Sequence, residues 1–174
     1  MNFALISLSL GAAAAPHLHE PVPRVITHFA SASHTCGVLQ AAYTAASGHK
    51  ALIYPQDVRS DTRVLELDKF APEYRAKLTL SVREFDELTV QQGLYNFPNF
   101  KPVCNWKGDP GPSVDDEGHA TFVTFTNPIF ANSRRLAIVQ VSFREKGTFG
   151  YGLICVVRQG RIGWEGQCQN SWIT

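Results

Sequence analysis

Short apolar runs separated by turn residues dominate the last third of the chain. Phe122, Val123 and Phe125, then Ile129 and Phe130, are strand formers split by Asn127-Pro128. Proline removes a ladder donor, so the first strand is expected to end near Thr126. After the turn-prone Ala131-Asn132-Ser133, the run from Leu136 to Phe143 places Val139, Val141 and Phe143 two apart, which predicts a central strand. Gly150 to Arg158 has almost no polar face and predicts a third strand. Gln159-Gly160 is the predicted turn into a fourth, which starts over Arg161–Trp164. These segments predict an antiparallel meander whose apolar face an earlier element must cover.

Upstream the period changes. Val38, Leu39, Ala42 and Tyr43 share one side of an alanine-rich stretch, with Ser33 as expected N-cap and Gly48 just past the end, so a helix is predicted there. Ala51 to Pro55 reads as a short strand that proline ends. Ser81-Val82-Arg83-Glu84 has the form of a capping box and opens a second helix through Phe85, Leu88, Thr89 and Gln92, which Gly93 can close. Its face of Val82, Phe85, Leu88 and Thr89 makes it the expected cover of the meander. Leu78, Leu80 and Val82 also alternate, so a strand period competes at its start. Val64, Leu65, Leu67 and Phe70 allow a further helical segment, which Ala71-Pro72 breaks. Tyr95 to Gly118, rich in proline and glycine, predicts a long irregular connection, packed down by Phe97, Phe100, Cys104 and Trp106. The expected fold is a single α+β domain over residues 34–174. Two or three helices pack on one face of a four- to five-stranded, mainly antiparallel sheet that ends in the C-terminal meander.

Composition narrows the setting. With 16 Lys+Arg against 15 Asp+Glu among 174 residues the formal net charge is +1, which supplies no field to steer nucleic acid or an anionic membrane. The apolar run from Asn2 to Leu10, followed by Gly11-Ala-Ala-Ala-Ala15-Pro16, fits a signal peptide over residues 1–14, although no Lys or Arg precedes it. Residues 15–33 then form an extended arm, in which His17 and His19 read as tail residues rather than a metal chelate. No later stretch reaches the ~18 apolar residues of a membrane span. The expected location is therefore periplasmic or secreted, and the four cysteines enter an oxidising space. A turn at Gln159-Gly160 would set Cys155 opposite Trp164, which disfavours a Cys155–Cys168 bond and leaves Cys155 as a buried thiol. The preferred bridge joins Cys104 to Cys36 or to Cys168.

Candidate chemistry is sparse. Cys36 with His34, His28, His119 and the acids Asp115, Asp116 and Glu117 comes nearest to a catalytic set, because a thiolate nucleophile needs an oriented imidazole. A bridged or buried Cys36 among surface histidines is the plainer reading. Paired C-x-x-C and H-E-x-x-H spacings are absent, and the acidic turn at Asp115 lacks calcium-loop spacing, so no metal is expected. Phosphate-binding, dinucleotide and serine-elbow motifs are missing too, and no cofactor is expected. Tyr151, Trp164 and Trp172 are candidates to line an apolar pocket above the sheet, unless they serve as packing.

The succession Asn127-Pro-Ile-Phe130, turn, Leu136 to Ser142, Gly150-Tyr-Gly-Leu-Ile154, Gln159-Gly160, Trp164 and Ser171-Trp172 resembles the C-terminal half of a group of small exported bacterial proteins of uncharacterised function. The likeness covers about the last half of the chain and implies a fold and an exported location, with no site residue. Glu145-Lys146-Gly147-Thr148 stands where cysteine-glycine pairs often sit in that group, so no shared disulfide is implied. The order of helices before a curved meander is also similar to the nuclear-transport-factor-2/cystatin type of fold. The expected function is an exported, non-catalytic binding or interaction module for a small apolar ligand or a protein partner. The alternative is a small hydrolase using Cys36 or a His/Asp set.

Overall fold

The computed structural model describes residues 29–113, 121–145 and 149–173. In chain order its elements are α1 (Ala32–Ala46), β1 (Ile53–Tyr54), β2 (Val58–Arg59), a 3-10 turn (Leu67–Lys69), α2 (Pro72–Arg75), α3 (Val82–Tyr95), β3 (Asp109–Pro110), β4 (Thr121–Phe125), β5 (Ile129–Phe130), β6 (Leu136–Glu145), β7 (Gly150–Gln159) and β8 (Trp164–Ile173). The stretch expected to be a signal peptide, most of the expected arm, His17, His19, His28, Asp115, Asp116, Glu117 and His119 lie outside the described residues.

The meander forms where alternation places it. β4, β6, β7 and β8 are successive antiparallel neighbours, β5 pairs with the start of β6, and β2 joins parallel to β4. The result is an α+β fold whose main sheet has six strands of mixed direction. A separate parallel pair, β1 with β3, anchors the long connection, and Trp106 stacks on Phe125 as its apolar residues suggested.

The hairpin between β7 and β8 corrects the expected turn. Gln159 pairs with Trp164, so the loop is Gly160 to Gly163 and the Gly160 N–H donates to the Gly163 carbonyl at 2.7 Å. Moving the turn centre two residues onward shifts every partner by four. Cys155 therefore faces Cys168 with Cα atoms 4.0 Å apart, and the two are bonded, against the expectation that this pairing was disfavoured. The other bond joins Cys36 to Cys104, one of the two preferred pairings. All four cysteines are thereby used.

α1 is the principal cover of the meander. Ser31, not Ser33, caps it by accepting from the His34 N–H at 3.3 Å. At the other end Gly48, with φ +70°, donates to Ala45, and His49 donates to Thr44. That is a Schellman close, which only a residue without a Cβ adopts cheaply. Val38, Leu39 and Tyr43 are buried against the sheet, and both sulfurs of the Cys155–Cys168 bond lie within 3.8 Å of the Ala42 carbonyl oxygen. Successive side chains of a strand point to opposite faces, so Ile154, Val156 and Arg158 point away from α1. There Arg158 meets Glu84 of α3, with N···O 2.5 Å. The helices thus sit on both faces rather than one, because β7 is apolar on both sides and each side needs cover.

α3 begins with the predicted capping box, in which Glu84 N–H donates to Ser81 Oγ and Ser81 N–H to the Glu84 carboxylate at 2.9 Å. It buries Phe85 and Leu88 as expected, but Val82 is 80% exposed and Gln91 and Tyr95 are buried instead. It also runs past Gly93 to Tyr95. Pro72 starts α2 rather than breaking a helix, since the first helical position needs no N–H. Leu78 to Leu80 forms no strand.

Glu84 joins cap and sheet, and its removal carries a testable cost. Hydrogen bonds from the Arg158 guanidinium hold its carboxyl at about 2, against an ordinary 4.5. A carboxyl lowered on folding adds stability above its unfolded pKa and loses it as pH falls toward the folded value. Arg158 is 43% exposed, so solvent screens the pair. Glu84→Ala is expected to lower the unfolding free energy by about 2 kcal/mol at pH 7, cap and pair together. Urea melts should show that penalty shrinking from pH 5 to 2.5. A penalty independent of pH would mean the pair contributes nothing.

Candidate functional site

One end of the sheet face that looks away from α1 is polar, and its strands explain how. On β4 and β6, Val123, Phe125, Val139 and Val141 are buried toward α1, while Phe122, Thr124, Gln140, Ser142 and Arg144 alternate to the other side. Thr124 is paired with Ser142 and Phe122 with Arg144, so these side chains stand together. Three of them, Thr124, Gln140 and Ser142, are buried, and buried polar groups require partners.

The partners come from the segment after β2. Asp61 bridges to Phe100 and accepts the Asn99 N–H on its carbonyl at 2.7 Å, which fixes its backbone against the sheet. Its carboxylate accepts Thr124 Oγ1–H at 2.7 Å, the Arg63 backbone N–H at 3.0 Å, and the Arg63 guanidinium at 3.0 Å from Nε and 2.7 Å from Nη2. Arg63 Nη2 also donates to Ser142 Oγ at 2.9 Å, to which Gln140 Nε2 donates at 3.3 Å. The Asp61 side chain is 9% exposed and that of Arg63 30%. Burial pushes the Asp61 carboxyl up, but the bonds from Arg63 and Thr124 outweigh it and leave it below the ordinary carboxylate range. Asp61 is therefore an anchoring anion at neutral pH and not a proton donor.

Trp172 completes the site. The Arg63 guanidinium lies 4.5 Å from its ring centroid and that of Arg144 lies 4.8 Å away, two cation–π contacts on one indole. Beside them Arg59, paired with Asp57, lies 4.1 Å over the Phe122 ring. The indole lies flat over Gly152, its strand partner, where a Cβ would stand 2.0 Å from Trp172 Nε1. Gly152→Ala is expected to displace the indole, cost about 2 kcal/mol and shift the tryptophan emission. Unchanged emission and stability would mean Trp172 is not seated there.

Among the described residues singled out from the sequence as site candidates, Trp172 alone belongs to this site. Tyr151 stacks on Phe143, centroids 4.9 Å apart, on the α1 side and 41% exposed. Trp164 also faces α1, edge-on to His34 at 6.0 Å. The three aromatics are not brought together. His34 sits in the first turn of α1 with Nδ1 2.8 Å from Ser31 Oγ. Cys36 is bonded to Cys104, so the nucleophile reading of its thiol is corrected: a disulfide sulfur carries no thiolate. Among the described residues no group of three His, Cys, Asp or Glu is placed to hold a metal ion, and no helix is long and apolar enough to cross a membrane.

Sequence reasoning passed over Asp61, Arg63 and Arg144. A signal was present: Gln140 and Ser142 interrupt the most regular apolar strand, and buried polar groups there demand charged or polar partners elsewhere. No protein-family model matches the chain, and neither a curated protein nor a solved structure does.

Proposed function

We propose that this chain is an exported, non-catalytic binding module, periplasmic or secreted, whose ligand sits on the open end of the sheet beside Trp172. The observation that carries this is the pair of guanidinium groups, Arg63 and Arg144, on the Trp172 indole, with Arg63 fixed by Asp61 and Ser142. A side chain already fixed by its neighbours, as Arg63 is by Asp61 and Ser142, loses little freedom on binding, which is what a recognition surface needs. The Asp61 carboxylate is engaged by Arg63 and Thr124 and held below the ordinary range, which makes it a poor base. Pairing of all four cysteines supports an oxidising compartment, in line with the apolar start of the chain.

Alkylation of the denatured, unreduced protein should add no label, and four after reduction. A label on Cys36 before reduction would restore the hydrolase alternative. The binding reading itself is tested by tryptophan fluorescence against a panel of small anionic, neutral apolar and cationic compounds. At least one class is expected to give a saturable change that Trp172→Phe removes. No Trp172-dependent response to any class would overturn the reading.

A further inference from the structure

We propose that the group recognised beside Trp172 is an oxyanion, the phosphate or carboxylate of a small molecule, held by the guanidinium groups of Arg63 and Arg144; this rests on the binding reading above. Arg63 and Arg144 meet on one indole, and of the described carboxylates only that of Asp61 reaches either of them. The local balance of these three groups is thus positive.

Donor geometry points the same way. Asp61 and Ser142 occupy Nε and Nη2 of Arg63, and among the described residues no bond engages its Nη1. A guanidinium has five N–H donors in a rigid fork, so an arginine gripped along one edge presents the rest in a fixed direction. Arg144 brings a second fork with no described carboxylate in reach. Paired forks suit the oxygens of a phosphate or carboxylate, and charge-assisted bonds of this kind are the strong ones. An apolar ligand would strip water from both cations without replacing it, and a cation would be repelled. Burying Asp61 is itself costly, and the bonds it accepts from Arg63 and Thr124 offset that cost while fixing the guanidinium.

The test uses the full exported chain with sodium phosphate and sodium acetate, each against sodium chloride at equal ionic strength, read by tryptophan fluorescence. Phosphate or acetate is expected to give a saturable change. Arg144→Gln should weaken it about tenfold while the protein stays folded, and Arg144→Lys should recover part of it. Response to phosphate alone identifies a phosphoryl ligand, and response to acetate alone a carboxylate. An equal response in Arg144→Gln would overturn the assignment. If neither anion acts while a neutral compound still gives a Trp172-dependent change, the oxyanion class fails and the binding module stands. If nothing acts, both fall.

Discussion

Replacing Cys36 and Cys104 together by alanine is expected to lower the unfolding free energy by about 4 kcal/mol, the chain entropy of a loop this long. The two residues are 68 apart in sequence, and the bond ties the irregular connection before β3 to the N-terminal half of α1. Gln40 Nε2 donates to the Lys107 carbonyl, the Lys107 N–H returns to Gln40 Oε1 at 3.1 Å, and the Gly111 N–H donates to the Tyr54 carbonyl at 2.8 Å. Urea denaturation of the double variant measures the loss. Hydrogen exchange should rise first in residues 96–108, while α1 stays protected by its packing on the sheet. A loss under about 1 kcal/mol would show that the connection's other contacts suffice to hold it, since the entropic account requires several times that.

The second large effect is expected at Asp61. Asp61→Ala leaves the Arg63 guanidinium partly buried without its counter-charge and removes the acceptor of Thr124, at a cost of about 3 kcal/mol. Arg63→Met in the same background should recover part of it, because an apolar stem can still pack on Trp172 without an unpaired charge. The pH dependence has a definite sign. The Asp61 carboxyl is lower in the folded protein, where burial is outweighed by Arg63 and Thr124. Its contribution is complete above the unfolded carboxyl pKa of about 4 and fades as pH falls below it. The stability gap between the natural protein and Asp61→Asn should therefore close on acidification from pH 6 to 3. A gap that widens would mean the carboxyl titrates higher when folded, and the anchoring role would be wrong.

Features set by neighbouring residues were readable in advance. The capping box at Ser81 and Glu84, the glycine close of α1 at Gly48 and the alternation of β6 and β7 each depend on contacts within a few positions. The fold class followed, because an alternating meander with an apolar face must be covered by the helices ahead of it. Errors began where a small local choice has distant consequences. A hairpin loop of Gly160 to Gly163 instead of a turn at Gln159-Gly160 moved the partner of Cys155 from Trp164 to Cys168. The side of the sheet taken by α3 also went unseen, since strands apolar on both faces do not say which helix covers which.

The candidate site lies at the far end of that scale. Asp61 meets Thr124 from 63 positions away, and Arg63 meets Ser142 from 79. Trp172 reaches both arginines through a strand register that contains a bulge between Gly152 and Leu153. The one-dimensional pattern could require that buried Gln140 and Ser142 find partners, because unpaired polar groups cannot be buried cheaply. Which residues answer that requirement was settled only by the folding of β2 beside β4, a contact written into no stretch of neighbouring residues.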